Sequence, residues 1–270
     1  YSKSARNPKP GKGSREALKT TENYDDLYII EDWRKKLSNF WTGDKPIDII
    51  GKKFYSVEHF FHFMKFWGIP GYSGDKKIQY DSYADNFTYD CTNSECWGRS
   101  DGKIAKKNGG KMCGVKHRYN WFLQINKIIL DRPVDDYTNM LLRNYILVVG
   151  LYHKFTQNNE LKTLLLATKN ALLIHPRGGN ARTGLYSHEY PLMYVRYLIK
   201  NNKLLDMDIL EYITTNKTLL SPDSSSEKKS PHTSPAKSPL SESPLAQLLN
   251  YAESLGLNSS KLSPKSLESE

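Results

Sequence analysis

Cysteine is scarce in this 270-residue chain: Cys91, Cys96 and Cys113 are the whole complement, and no apolar leader precedes them. An odd trio does not build the disulfide framework of a small secreted scaffold, so reduced cysteines and an intracellular setting are the default expectation. Cys91 and Cys96 lie five apart and Cys113 stands alone, which lacks the paired spacing of a structural zinc site. No metal and no cofactor is expected. Long apolar runs are missing as well. The longest, Tyr145 to Tyr152, falls far short of the ~20 residues that a membrane helix needs, and no membrane partner is expected. Lysine and arginine never form a long block, and no groove-reading or RNP-like aromatic motif is present. A plain nucleic-acid binder has little to stand on.

What is present is length and positive charge. The chain carries 39 Lys and Arg against 29 Asp and Glu, a formal net charge of +10. Residues 221–270 hold five lysines and six acidic residues, so the surplus lies wholly in the first 220 residues. A basic globular part suits an anionic partner: a phosphorylated metabolite, a nucleotide-like adduct or nucleic acid. Composition divides the chain in three. Residues 1–22 read as a flexible basic arm, with Lys3, Arg6, Lys9, Lys12, Arg15 and Lys19 among Ser, Gly and Pro. Residues 23–215 read as one folded domain with ample length for a core. Residues 216–270, with six Ser-Pro steps, read as a disordered tail.

The most informative stretch is Ser56-Val57-Glu58-His59-Phe60-Phe61-His62-Phe63-Met64-Lys65-Phe66. Its spacing predicts a helix. Ser56 is a natural N-cap, and Glu58 falls in the first turn, where the helix dipole favours a carboxylate. Phe60, Phe63, Met64 and Trp67 share an apolar side. Glu58, His62 and Lys65, at i, i+4 and i+7, share another. An acid, an imidazole and an amine in a row on so apolar a helix face either water, as an ordinary polar ladder, or a pocket.

Two further phrases bear on that choice: Leu37-Ser38-Asn39-Phe40-Trp41 upstream and Lys154-Phe155-Thr156-Gln157-Asn158 downstream. Together with the helix stretch they resemble the signature of the NADAR (YbiA-like) N-glycosidase family. Its members read LSNF, a small residue plus EH with a lysine seven residues after the acid, then KFxQN and LLxT. The likeness runs from Leu37 to Ile199.

The resemblance implies an enzyme that hydrolyses N-glycosides of ribose phosphate through a lysine Schiff base. Lys65 would be the nucleophile, kept neutral by burial among Phe61, Met64 and Phe66. Glu58 would act as general acid and base. His62, where relatives usually have Gln, would orient ribose hydroxyls or relay protons. Asn39 would contact substrate; it equally suits an Asx turn that holds its own loop. Residues Ala105 to Lys111 resemble a turn that precedes a site-lining Trp, which makes Trp121 either a base-stacking residue or a buried core Trp. Thr92 to Gly102 reads as an insertion. Arg177 and Arg182, in the glycine-containing loop Pro176 to Gly184, would offer guanidinium forks to phosphate. One feature departs from the family: the D-x-x-W-G phrase expected after LLxT is absent, leaving Glu189 as candidate substitute carboxylate.

The expected fold is α+β, a mainly helical single domain around a small sheet. Segments near 27–30, 47–55 and 171–175 supply the strands. Helices are expected over residues 135–153, with Pro133 at the start, 159–168 and 191–199. Leu141, Leu142, Val148, Leu161, Leu164 and Leu165 are the expected core of the first two. The pocket should lie between the Glu58–Lys65 helix, the Asn39 loop and the Arg177–Arg182 loop. The expected reaction releases an amino-pyrimidine base from ribose phosphate, as in early riboflavin intermediates. Two alternatives stand beside it: removal of ADP-ribose from guanine in nucleic acid, which the basic arm favours, and a module that binds ADP-ribose without cleaving it, which the missing Asp favours.

Overall fold

The structure, a computed structural model, describes residues 9–13, 16–18, 21–67, 74–110, 113–117, 120–125, 128–133, 140–176 and 186–205. Two four-residue helices, α1 (Asp25–Tyr28) and α2 (Trp33–Lys36), precede a hairpin of β1 (Ile47–Ile49) and β2 (Lys52–Phe54). Helices α3 (Val57–Phe66), α4 (Gly74–Asp85) and α5 (Gly102–Gly109) follow. Then come strands β3 (Gly114–His117), β4 (Asn120–Ile125) and β5 (Ile128–Pro133). Helices α6 (Met140–Thr156) and α7 (Asn159–Ala167), strands β6 (Ile174–Pro176) and β7 (Tyr186–His188), and helix α8 (Tyr190–Lys200) end the series. The architecture is α+β and dominated by helices. Its described strands form three separate antiparallel sheets, β1-β2, β3-β4-β5 and β6-β7.

Helix α3 is packed on by β2, α4, α5 and α6. All of its residues except Phe61 are buried, so its polar members are carried into the interior with the aromatic ones. Phe60 and Phe63 meet Phe54 of β2 edge-on, with ring centroids 5.2 and 5.1 Å apart, the geometry that aromatic quadrupoles favour. Helix α3 also meets α6 at Gly150. A Cβ there would lie 3.0 Å from both Val57 and Phe60, so the missing side chain sets how closely the helices approach. Ile146, Val149 and Phe155 extend the α6 stripe into the core, and Leu164, Leu165 and Val195 bring α7 and α8 onto it. The β1-β2 turn is two residues long, Ile50 and Gly51, both at positive φ (52° and 73°). That is the twist a tight hairpin demands.

Several expectations are corrected. Leu27 to Ile30 is no strand: Leu27 and Tyr28 end α1 and Ile29 caps it, while Asp25 and Asp26 sit at the positive end of the helix and Leu27 is buried. Of the three expected sheet segments, 47–55 forms the hairpin, while β6 pairs with β7 and joins no common sheet. The sheet β3-β4-β5 was not expected at all. Pro133 ends β5 rather than opening the long helix, and α6 runs on through His153 to Thr156 because Lys154 and Phe155 are buried on its last turn. Val148, Leu161, Leu164 and Leu165 are core residues; the side chains of Leu141 and Leu142 lie outside the description. Part of the segment read as an insertion, Thr92 to Gly102, packs against the domain. The ring of Trp97 packs on Tyr83 and Phe87 at 5.3 and 5.2 Å, and a Cβ on Gly98 would lie 1.7 Å from the Thr88 carbonyl oxygen.

Cys91 and Cys96 are joined in a disulfide with Cα atoms 6.0 Å apart, where reduced cysteines were expected, and Cys113 is free. Part of the basic arm is engaged. The carboxylate of Glu16 accepts from the Gly11 and Gly13 amides and pairs with Arg34. Among the described residues, no helix is long and apolar enough to cross a membrane and no group of three or more His, Cys, Asp or Glu is placed to hold a metal. Residues 206–270, including every Ser-Pro step, lie outside the described residues.

Candidate functional site

Helix α3 begins as its sequence requires. Ser56 is extended (φ −153°, ψ 168°), and its Oγ accepts the His59 N–H at 3.4 Å. The Ser56 hydroxyl also lies 2.8 Å from His59 Nδ1, and His59 Nε2 lies 3.1 Å from the Trp97 carbonyl oxygen. A carbonyl can only accept, so Nε2 carries the proton and Nδ1 accepts from Ser56. Burial lowers the His59 pKa to about 4, against the bond to the Trp97 carbonyl, so the ring is neutral near pH 7. His59 thus ties α3 to the Trp97 loop and takes no part in the polar row.

Glu58, His62 and Lys65 form that row. They are 8%, 4% and 8% exposed, so the row is interior and not a solvated ladder. His62 Nε2 lies 3.2 Å from Glu58 Oε1, one helical turn away. Its Nδ1 is buried without a hydrogen-bond partner. Burial pushes the His62 pKa below its ordinary value, against the Glu58 carboxylate and with help from the Lys65 charge. The neutral ring therefore donates from Nε2 to Glu58.

Helix α5 covers the row. Lys65 Nζ donates to the Gly109 carbonyl at 2.5 Å. A Cβ on Gly109 would lie 2.1 Å from both Cγ and Nδ1 of His62, so only a glycine lets α5 approach this closely. At the other end of α5, Gly102 lies against Phe40 of the Asn39 loop, and Lys106 sits over the Phe40 ring at 5.3 Å. To act as a nitrogen nucleophile this amine must be unprotonated when it attacks.

The Asn39 loop lies on the first turn of α3, where the Asn39 carbonyl accepts the Glu58 N–H at 3.0 Å. Its side-chain amide is half-buried and takes no hydrogen bond among the described residues, so the Asx-turn alternative is not realised. Trp121 falls on β4 opposite Lys116, but its side chain lies outside the description. Arg177 and Arg182 lie outside the described residues altogether. Glu189 precedes α8 and lies 3.7 Å from His175 Nδ1. Burial raises its pKa, against the charges of His175 and Arg143. Among the described residues no hydrogen bond or ion pair joins it to Glu58, His62 or Lys65.

A cleft of about 320 Å³ opens elsewhere, between the β1-β2 turn and the loop after α4. Its cations Lys52 and Lys53 are paired with Asp85 and Asp90, and none of the α3 row lines it. Sequence reasoning passed over Gly109 and His59. Lys154 falls just past the helix expected over residues 135–153, although an amine in so apolar a stretch is a signal of its own.

No family model matches the chain, and none of the curated proteins matches it. Among solved structures, the chain is similar to the NMR structure of the E. coli protein YbiA, with 21% sequence identity, 69% of this chain and 88% of that chain covered, and a TM-score of 0.35.

Proposed function

We propose that this chain is an N-glycosidase that releases an amino-pyrimidine base from ribose phosphate. The observation that carries the reading is the interior row on α3: a carboxylate, an imidazole and an amine, all buried, with the amine held by a backbone carbonyl. An amine so placed is suited to attack the C1 carbon of a ribosylamine in its ring-opened imine form. Nζ forms a bond to C1 and gives up its protons, Glu58 takes up a proton and passes it to the departing nitrogen, the bond from C1 to that nitrogen breaks, and the base leaves as an amine with a Schiff base to Lys65 remaining. Water then adds to C1, and the returning proton frees the lysine. His62, neutral and donating to Glu58, holds that carboxylate in place. The order of the LSNF, EH…K and KFTQN phrases supports the same reading from sequence.

The test is direct. Purified chain is incubated with ribosylamino-uracil phosphate and, separately, with ADP-ribosylated guanine in DNA, and the products are identified. Release of free base from the first supports the proposal. Release of ADP-ribose from the second alone moves the activity to nucleic acid. Tight binding of ADP-ribose without cleavage of either substrate supports the non-catalytic module instead. One observation supports that module: the carboxylate of Glu189, the candidate for the missing acid, lies against His175.

A further inference from the structure

We propose that Lys154 is a positioning residue, which fixes the backbone on either side of Asn39 and so aims the Asn39 amide over the first turn of α3. The inference rests on the reading above in one respect only: that this turn, with Glu58, borders the site. Lys154 occupies the last turn of α6 and is 2% exposed. Its Nζ donates to the carbonyl of Lys36 at 2.6 Å and to that of Ser38 at 2.7 Å. From the other side, the Glu58 N–H holds the carbonyl of Asn39. The peptide planes before and after the Asn39 Cα are therefore pinned by two different helices. The turn is closed further by Trp41, whose N–H donates to the Ser38 carbonyl at 3.1 Å, and by Phe40, whose N–H donates to Ser38 Oγ at 3.2 Å. With both planes fixed, the Asn39 Cα–Cβ bond has one direction, and the side chain is left only its rotamers about that bond.

An amine suits this place because one group serves two half-buried carbonyls; an apolar residue of the same length would leave that of Lys36 without its donor and that of Ser38 with the Trp41 N–H alone. Burial lowers the Lys154 pKa to about 7, and the neutral amine still offers two N–H groups to two acceptors. The rest of the Lys154–Asn158 phrase fastens other elements. Gln157 exchanges hydrogen bonds with the backbone of Asp48 in β1, at 2.9 and 2.6 Å, and Asn158 caps α7 through the Leu161 N–H at 3.1 Å. Of the three fastenings, the one made by Lys154 reaches the loop on α3.

The experiment compares Lys154→Met and Gln157→Ala in the full chain. Exchange of the Glu58 amide and the Asn39 side-chain amide signals are read by NMR, and KM and kcat are read on whichever adduct the wild type cleaves. Lys154→Met is expected to speed Glu58 exchange and to shift the Asn39 signals. It is expected to raise KM about tenfold, the scale of one lost hydrogen bond, and Asn39→Ala added to it changes KM no further. Gln157→Ala lowers the melting temperature and moves none of these readings. If the methionine variant does not fold, Lys154→Gln, shorter but still a donor, should give smaller changes of the same sign. Unmoved Glu58 and Asn39 signals in a folded Lys154 variant overturn the proposal, as does a KM effect that adds in full to that of Asn39→Ala. A wild type that cleaves neither adduct while both signals respond sinks the N-glycosidase reading and leaves the positioning role standing.

Discussion

Gly109 touches two of the three side chains of the polar row on α3: its Cα lies against the His62 ring, and its carbonyl holds Lys65. Gly109→Ala must push α5 off α3 or drive His62 from its rotamer, at a cost of roughly 1–3 kcal/mol. A lowered urea midpoint with unchanged slope is the expected result; a midpoint equal to wild type means that the ring has room to give. The buried histidines set an acid limit of their own. The folded-state pKa of His59 is lowered from 6.5 to about 4, and that of His62 is lowered too. Below pH 6.5 the unfolded chain takes up protons that the folded chain refuses, so stability falls as pH drops from 6.5 towards 4. For His59 alone the loss is roughly 3 kcal/mol. Unfolding titrations across this range should show that decline, and His59→Gln should flatten it. A wild-type profile already flat between pH 6.5 and 4 speaks against neutral buried rings.

At the scale of elements, α3 depends on its cap. Ser56 satisfies the His59 N–H and also donates to the His59 ring, so Ser56→Ala should cost about 1–2 kcal/mol. Thermal unfolding checks this, and an unchanged melting temperature contradicts it. Helix α3 was legible because its cues are local: the cap, the acid in the first turn and the apolar period all fall within eleven residues. The sheet β3-β4-β5 was not legible for the converse reason. The sequence between its strands, Arg118-Tyr119 and Asn126-Lys127, lacks the glycine that marks a tight hairpin. The same contrast holds at the site. That Glu58, His62 and Lys65 share a side of one helix follows from periodicity. That α5 covers them, and that Lys154 reaches Ser38 across 116 positions of sequence, does not. Such contacts are decided by how elements pack, which no local pattern records.

For the whole molecule, the positive surplus lies in the first 220 residues, and the described core is built from elements between Asp25 and Lys200. We therefore expect a chain ending at residue 220 to keep the fold and the chemistry. Its melting temperature should lie within about 2 °C of the full chain, less than a 1 kcal/mol change produces at this size, with base release at the same rate. A drop of many degrees, or loss of turnover, would assign the last fifty residues a part in the domain.

Lys65 is the residue on which the proposed chemistry turns, and borohydride trapping reports on it most directly. Enzyme and ribosylamino-uracil phosphate are mixed, borohydride is added, and the modified peptide is sequenced by mass spectrometry. The prediction is one ribose-phosphate adduct on the α3 peptide at Lys65, and none on Lys65→Ala. Base release without any trapped adduct, or an undiminished adduct on another lysine of Lys65→Ala, would contradict it.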